Sequence, residues 1–135
     1  MTPIEQMTAP LWGLVIFIGW TIAITTLLII VRIWHLSTGG AVQDFATPND
    51  KSLLWRLFRV QANLVENLPL YIGVVFLLTV QSVAGTAIDL LIVMYIVFRL
   101  IHSIIHIAGM NPIFRIICLG GQFSGLIALI SLAIF

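Results

Sequence analysis

Charge is scarce in this chain: only 8% of its 135 residues are Asp, Glu, Lys or Arg, while 61% are hydrophobic. A soluble domain is about 25% charged and about 45–50% apolar. The mean hydropathy of +1.17 therefore indicates an integral membrane protein. The net charge of +1 gives no support for nucleic-acid binding, and the single cysteine, Cys118, excludes an intrachain disulfide.

Four long apolar segments are separated by stretches rich in Gly, Pro, Asn and Asp. Each segment reaches the roughly 20 residues that a helix needs to cross the hydrocarbon core, and the separating stretches are typical of turns and helix ends. We therefore predict one domain over residues 1–135, an all-α integral membrane four-helix bundle. The predicted helices span residues 10–35, 52–81, 87–107 and 113–135.

The basic residues are distributed on one side of this bundle. All six lie in or near the loops after the first and third helices: Arg32, Lys51, Arg56, Arg59, Arg99 and Arg115. The N-terminal stretch, the 82–86 turn and the C-terminal stretch have none. By the positive-inside rule, both basic loops lie in the cytoplasm and both termini lie outside it.

The polar residues of the second and third helices form two faces, because they are spaced three and four residues apart. These residues are Arg59, Asn63 and Glu66 on the second helix, and Arg99, His102 and His106 on the third. Counted at about 1.5 Å per residue from the 82–86 turn, the two faces lie at similar depth. Ionisable groups at membrane depth face a bundle interior or a wet cavity, so we predict one site on the cytoplasmic side.

These residues allow more than one interpretation. Glu66 and Arg99 can form a buried ion pair that sets the helix register, alone or beside a ligand site. His102 and His106 have the spacing of two metal ligands, but no HExxH motif or cysteine cluster accompanies them. Arginines beside amides suit an anionic, peptide-like ligand, because guanidinium groups bind carboxylates in a fork. Arg115, at the head of the fourth helix, adds positive charge where a thiolate could be stabilised.

Two segments carry a family resemblance. The pattern RLFRVQANLVENLP of residues 56–69 resembles the second-helix signature of the MAPEG family, the membrane-associated proteins of eicosanoid and glutathione metabolism. The segment RLIHSIIH of residues 99–106 is similar to the family's Arg-x-x-His-Thr-x-x-Tyr segment. Arg115 matches the family's thiolate-stabilising arginine by its distance after that segment. His106 stands where family members usually have Tyr, which leaves the particular activity open.

The resemblance implies a homotrimer in a bacterial inner membrane, with glutathione bound between subunits on the cytoplasmic side. Arg115 would be the catalytic residue, and Arg99 the buried partner of Glu66. The implied glutathione-binding residues are Arg59, Gln61, Asn63, Glu66, His102 and His106.

The implied function is that of a membrane-bound transferase or peroxidase that uses glutathione as co-substrate and acts on lipophilic electrophiles delivered by the membrane lipid. The alternative is a non-catalytic lipid- or glutathione-binding membrane protein on the same fold. A small transporter is disfavoured, because the polar side chains cluster at one side of the membrane.

The orientation can be tested with a reporter enzyme that is active only outside the cytoplasm. Fused after Phe135, the reporter should be active, because this end of the chain has no basic residue. Inserted in the 39–48 loop, it should be inactive. A cytoplasmic signal at Phe135 would reverse the orientation and put the predicted site on the wrong face for glutathione.

Overall fold

The computed structural model describes residues 6–49 and 51–135, and the regular structure within them is helical. The long helices are α1 (Ala9–Ser37), α2 (Leu53–Val80), α3 (Thr86–Ala108) and α4 (Pro112–Ile134), and a short 3-10 helix, Val42–Ala46, lies between α1 and α2. All four long helices are long and apolar enough to span a membrane. The predicted all-α four-helix architecture is confirmed, and each helix end lies within two residues of its predicted position.

The loops after α1 and α3 lie at the same end of the bundle, called the basic end here, and the connection between α3 and α4 is short. Helix α3 ends at Gly109, whose left-handed backbone (φ 70°) is available to glycine without steric cost. Helix α4 begins after Asn111, whose side-chain oxygen accepts a hydrogen bond from the Ile113 N–H at 3.0 Å. Pro112 suits the first helical position because no N–H is needed there. The end of α3 is therefore held beside the start of α4.

An aromatic stack joins three of the helices in the core. The rings of Tyr71 on α2 and Tyr95 on α3 are nearly parallel, with centroids 5.3 Å apart. The Phe17 ring on α1 lies 5.7 Å from that of Tyr71 and 6.3 Å from that of Tyr95. The Tyr71 hydroxyl donates to the Pro10 carbonyl at 2.8 Å, so its polar atom is satisfied within the apolar core.

The loop after α1, predicted to be irregular, contains the short 3-10 helix and is held against α1. His35 Nε2 donates to Asp44 Oδ2 at 2.8 Å, and this hydrogen bond lowers the pKa of Asp44 below its ordinary value. The Arg32 guanidinium carbon lies 5.0 Å from the centroid of the Phe45 ring and 5.6 Å from that of Phe58. These contacts give the loop a defined path at the basic end.

Gly13 marks a close approach between helices that matched alanine variants can measure. A Cβ added at Gly13 would overlap the Tyr71 hydroxyl and lie 3.0 Å from Ile92, whereas one added at Gly19 meets nothing within 4 Å. Gly13→Ala should therefore destabilise the bundle by about 1–3 kcal/mol, while Gly19→Ala should be neutral or slightly stabilising. Denaturant unfolding in one detergent measures both.

The Tyr71→Phe background provides the control for this explanation. Because Tyr71→Phe removes the overlapping oxygen, Gly13→Ala should lower the free energy of unfolding by less in this background than in the wild type. The effects of the two changes on the free energy of unfolding are then not additive. If Gly13→Ala and Gly19→Ala change the free energy of unfolding equally, the packing described above is wrong.

Candidate functional site

A cleft of about 290 Å³ opens at the basic end between α2, α3 and α4. Its polar lining comes from three helices: Arg59, Asn63, His102, His106 and Arg115. Three apolar residues of α4 complete the wall. We call it the arginine cleft. The structure thus brings together five of the residues that the sequence had pointed to.

A smaller cleft of about 150 Å³ adjoins the arginine cleft and shares its lining residues His106, Pro112 and Arg115. Arg56 closes its far side, and Arg56 Nε donates to the Ile107 carbonyl at 2.9 Å. A cation at the carbonyl end of a helix is favourable, so Arg56 stabilises the end of α3. Among the described residues, no carboxylate lines either cleft.

The start of α4 makes the clefts more electropositive. Pro112, the first residue of α4, lines both of them, and the aligned peptide dipoles give the N-terminal end of a helix a partial positive charge. Arg115 adds a full charge in the same turn, where the helix itself does not stabilise a cation. An anionic ligand is the partner that this arrangement favours.

Arg99 lies behind the wall of the arginine cleft and is only 1% exposed. Its Nη2 donates to Asn63 Oδ1 and lies 3.5 Å from His102 Nδ1. Its guanidinium carbon is 5.9 Å from the centroid of the Phe17 ring, part of the aromatic stack. The Nε and Nη1 atoms have no hydrogen-bond partner among the described residues. Arg99 thus contacts two residues of the cleft wall without lining the cleft itself.

The expected buried ion pair between Glu66 and Arg99 is not formed within the subunit. Glu66 is exposed, and Arg99 bonds to Asn63 instead. Three residues turn a helix by about 300°, so Glu66 lies roughly 60° round α2 from Asn63. That rotation carries the Glu66 side chain away from α3 and onto the outer surface of the single chain.

Gln61 also lies outside the arginine cleft and is half-buried. Sequence reasoning missed the apolar wall residues Ile116 and Leu119, of which Leu119 could have been found because it lies four residues after Arg115 on the same helix face. It also missed the role of Asn67, whose Nδ2 donates to the Asn63 backbone carbonyl at 2.7 Å. This bond braces the turn of α2 that carries Asn63.

Four helices able to span a membrane, with a polar, cationic cleft at one end, define an integral membrane protein. The chain belongs to the MAPEG family, whose model matches residues 10–135, nearly the whole chain. The predicted family resemblance is therefore confirmed. Members of this family are glutathione-related transferases and synthases. Neither curated proteins nor solved structures gave a significant match.

Proposed function

We propose that this protein is a membrane-bound glutathione-dependent transferase that conjugates glutathione to, or reduces with it, a lipophilic electrophile. The observation that carries the proposal is the arginine cleft. It combines Arg59, Arg115 and the start of α4 with an amide and two histidines, and no carboxylate among the described residues lines it. Glutathione carries carboxylates and peptide carbonyls, which are the groups that guanidinium and N–H donors bind.

The proposed roles follow the positions of the side chains. Arg59, Asn63, His102 and His106 hold the carboxylate and backbone groups of glutathione in the cleft of one subunit. Arg115, one turn into α4, faces the sulfur. A positive charge and a helix start beside a thiol lower the thiol's pKa below its ordinary value, so more of it is thiolate at neutral pH.

The reaction is then a displacement or addition by the bound thiolate. A new carbon–sulfur bond forms on the electrophile. In a displacement, the leaving group departs with the electrons of the bond that breaks. In an addition, the electron pair of the bond that breaks moves to the atom next to the attacked carbon, and that atom is protonated. The apolar substrate reaches the sulfur from the bilayer side, past Ile116, which lines the cleft and is 68% exposed. Holding both reactants at the membrane surface supplies the proximity that the reaction needs.

The alternative is a non-catalytic glutathione- or lipid-binding protein on the same fold. The observation in its favour is His106, which lines the cleft at the position where family members usually have Tyr. Glutathione-dependent turnover of chlorodinitrobenzene, a generic electrophile, distinguishes the two. Ligand binding without turnover at any pH would support the non-catalytic function.

A homotrimer is part of this proposal, on family grounds and because of Glu66. This residue is exposed in the single chain within a membrane-spanning helix, and a charge that faces lipid at such depth is costly. Gln61 and Glu66 then meet a neighbouring subunit and its bound glutathione. Mass measurement in mild detergent should give about three times the 15.0 kDa of one chain. A stable monomer that still binds S-hexylglutathione would contradict this assembly.

Two arginine variants should separate ligand binding from thiolate chemistry. Arg59→Ala should weaken binding of both glutathione and S-hexylglutathione by about 1.5–3 kcal/mol, because a charged contact is lost. Arg115→Ala should leave affinity for S-hexylglutathione nearly unchanged, because that ligand has no thiolate. It should instead move the pH–rate profile for conjugation to higher pH and slow the reaction at neutral pH.

The measurements are calorimetry with S-hexylglutathione and ultraviolet thiolate absorbance against pH. Lys51→Ala is the matched control: it removes a positive charge from the exposed loop at the basic end without touching the cleft. It should leave both readouts unchanged. If Arg115→Ala does not alter the thiolate titration, Arg115 is not the catalytic residue and the non-catalytic function is favoured.

A further inference from the structure

We infer that Arg99 is a positioning residue that makes two side chains of the cleft wall, Asn63 and His102, present hydrogen-bond donors to the ligand. The cleft then selects ligands that offer acceptor oxygens, above all carboxylates. This inference rests on the proposed function for the identity of the ligand. The orientation of the two side chains, however, is a property of the chain alone and can be measured without ligand.

Arg99 fixes which atom of the Asn63 amide faces it. An asparagine side chain has an acceptor oxygen and a donor nitrogen, whereas a guanidinium only donates. The atom that faces Arg99 must therefore be the oxygen, and Arg99 Nη2 does donate to Asn63 Oδ1. The turn that carries Asn63 is braced by the 2.7 Å bond from Asn67 to the Asn63 backbone carbonyl. The Asn63 amide consequently has its Nδ2 donor left for the cleft that it lines.

The imidazole of His102 is 5% exposed and lies next to Arg99. A neutral imidazole has one donor and one acceptor nitrogen, and the partner of one nitrogen determines the state of the other. Arg99 Nη2 lies 3.5 Å from His102 Nδ1, and because a guanidinium only donates, this contact favours Nδ1 as the acceptor, with the proton on Nε2. The ring also packs edge-on against His106, with centroids 6.1 Å apart, which limits its rotation. His102 therefore presents Nε2–H.

Arg99 is confined by its burial. It is enclosed against the Phe17 ring, and among the described residues it has no ion-pair partner. Its Nε and Nη1 atoms already lack acceptors within the described part of the chain. Turning either Asn63 or His102 would place donor against donor and leave another buried N–H unpaired, which is expensive in a low-dielectric interior.

The consequence is a cleft whose oriented groups all donate. Arg59 and Arg115 are donors by nature, and Arg99 makes donors of Asn63 and His102. A ligand that offers carboxylate or carbonyl oxygens pairs with Arg59, Asn63 and His102, and Arg115 is left for the thiolate. A ligand that offers only amines leaves them unpaired and is rejected.

Side-chain nitrogen NMR of the full-length protein in lipid nanodiscs tests the orientation without ligand. With nitrogen-15 histidine labelling, and with His102→Gln used for assignment, the signals of His102 should show the Nε2–H tautomer. In Arg99→Met this preference should be lost. A wild-type protein with the Nδ1–H tautomer would overturn the inference, as would an Arg99→Met protein with unchanged signals.

Asn63→Asp provides a second test that does not require removing the buried arginine. The carboxylate keeps an acceptor against Arg99, so the variant should fold with undiminished thermal stability, but it replaces the Nδ2 donor by an acceptor. Its affinity for S-hexylglutathione should fall at least about tenfold. Gln43→Glu, the same change of charge on the exposed loop, should bind like the wild type.

The two proposals fail in different ways. Undiminished binding by Asn63→Asp would overturn the inference about Arg99. If the wild type does not bind S-hexylglutathione at all, the proposed function fails, while the tautomer of His102 still decides whether Arg99 orients the cleft wall.

Discussion

The bundle depends on how it accommodates the guanidinium of Arg99. A charge enclosed in protein at membrane depth is costly unless its donors find acceptors. Arg99 finds an amide on α2 and an imidazole on its own helix, and it lies against Phe17 of α1. Since Phe17 belongs to the stack with Tyr71 and Tyr95, the contacts that enclose the charge also join three helices. Packing and the orientation of the cleft wall therefore depend on the same residue.

Two arginines at the basic end have different surroundings and so different roles. Arg56 donates to a carbonyl at the end of α3, where a helix favours a cation. Arg115 lies in the first turn of α4, where the helix itself is positive. The Gly109 turn brings these two helix ends together. One arginine consequently stabilises the fold, whereas the other lines the cleft, where we propose that it meets an anion.

Much of the fold and of the cleft lining could be predicted from the sequence. The length of the apolar segments predicted four helices. The spacing of the polar residues predicted that they lie on facing surfaces of two helices, as the structure shows for Arg59, Asn63, His102 and His106. The partner of Arg99 could not be predicted. Depth along two antiparallel helices is known from counting residues, but the rotation of each helix about its axis is set by side-chain packing, here by the aromatic stack and by Gly13 against Tyr71.

The sequence by itself determined the class of protein, because four runs of apolar residues long enough to cross a bilayer leave few other solutions. It also determined where the charges concentrate. Only the tertiary structure decided that Asn63 and not Glu66 meets Arg99, and that Gln61 and Glu66 lie outside the cleft of their own chain. The physical reason is that hydropathy and spacing define a helix face, whereas a hydrogen bond depends on the rotation and offset of two packed helices to within a fraction of a turn.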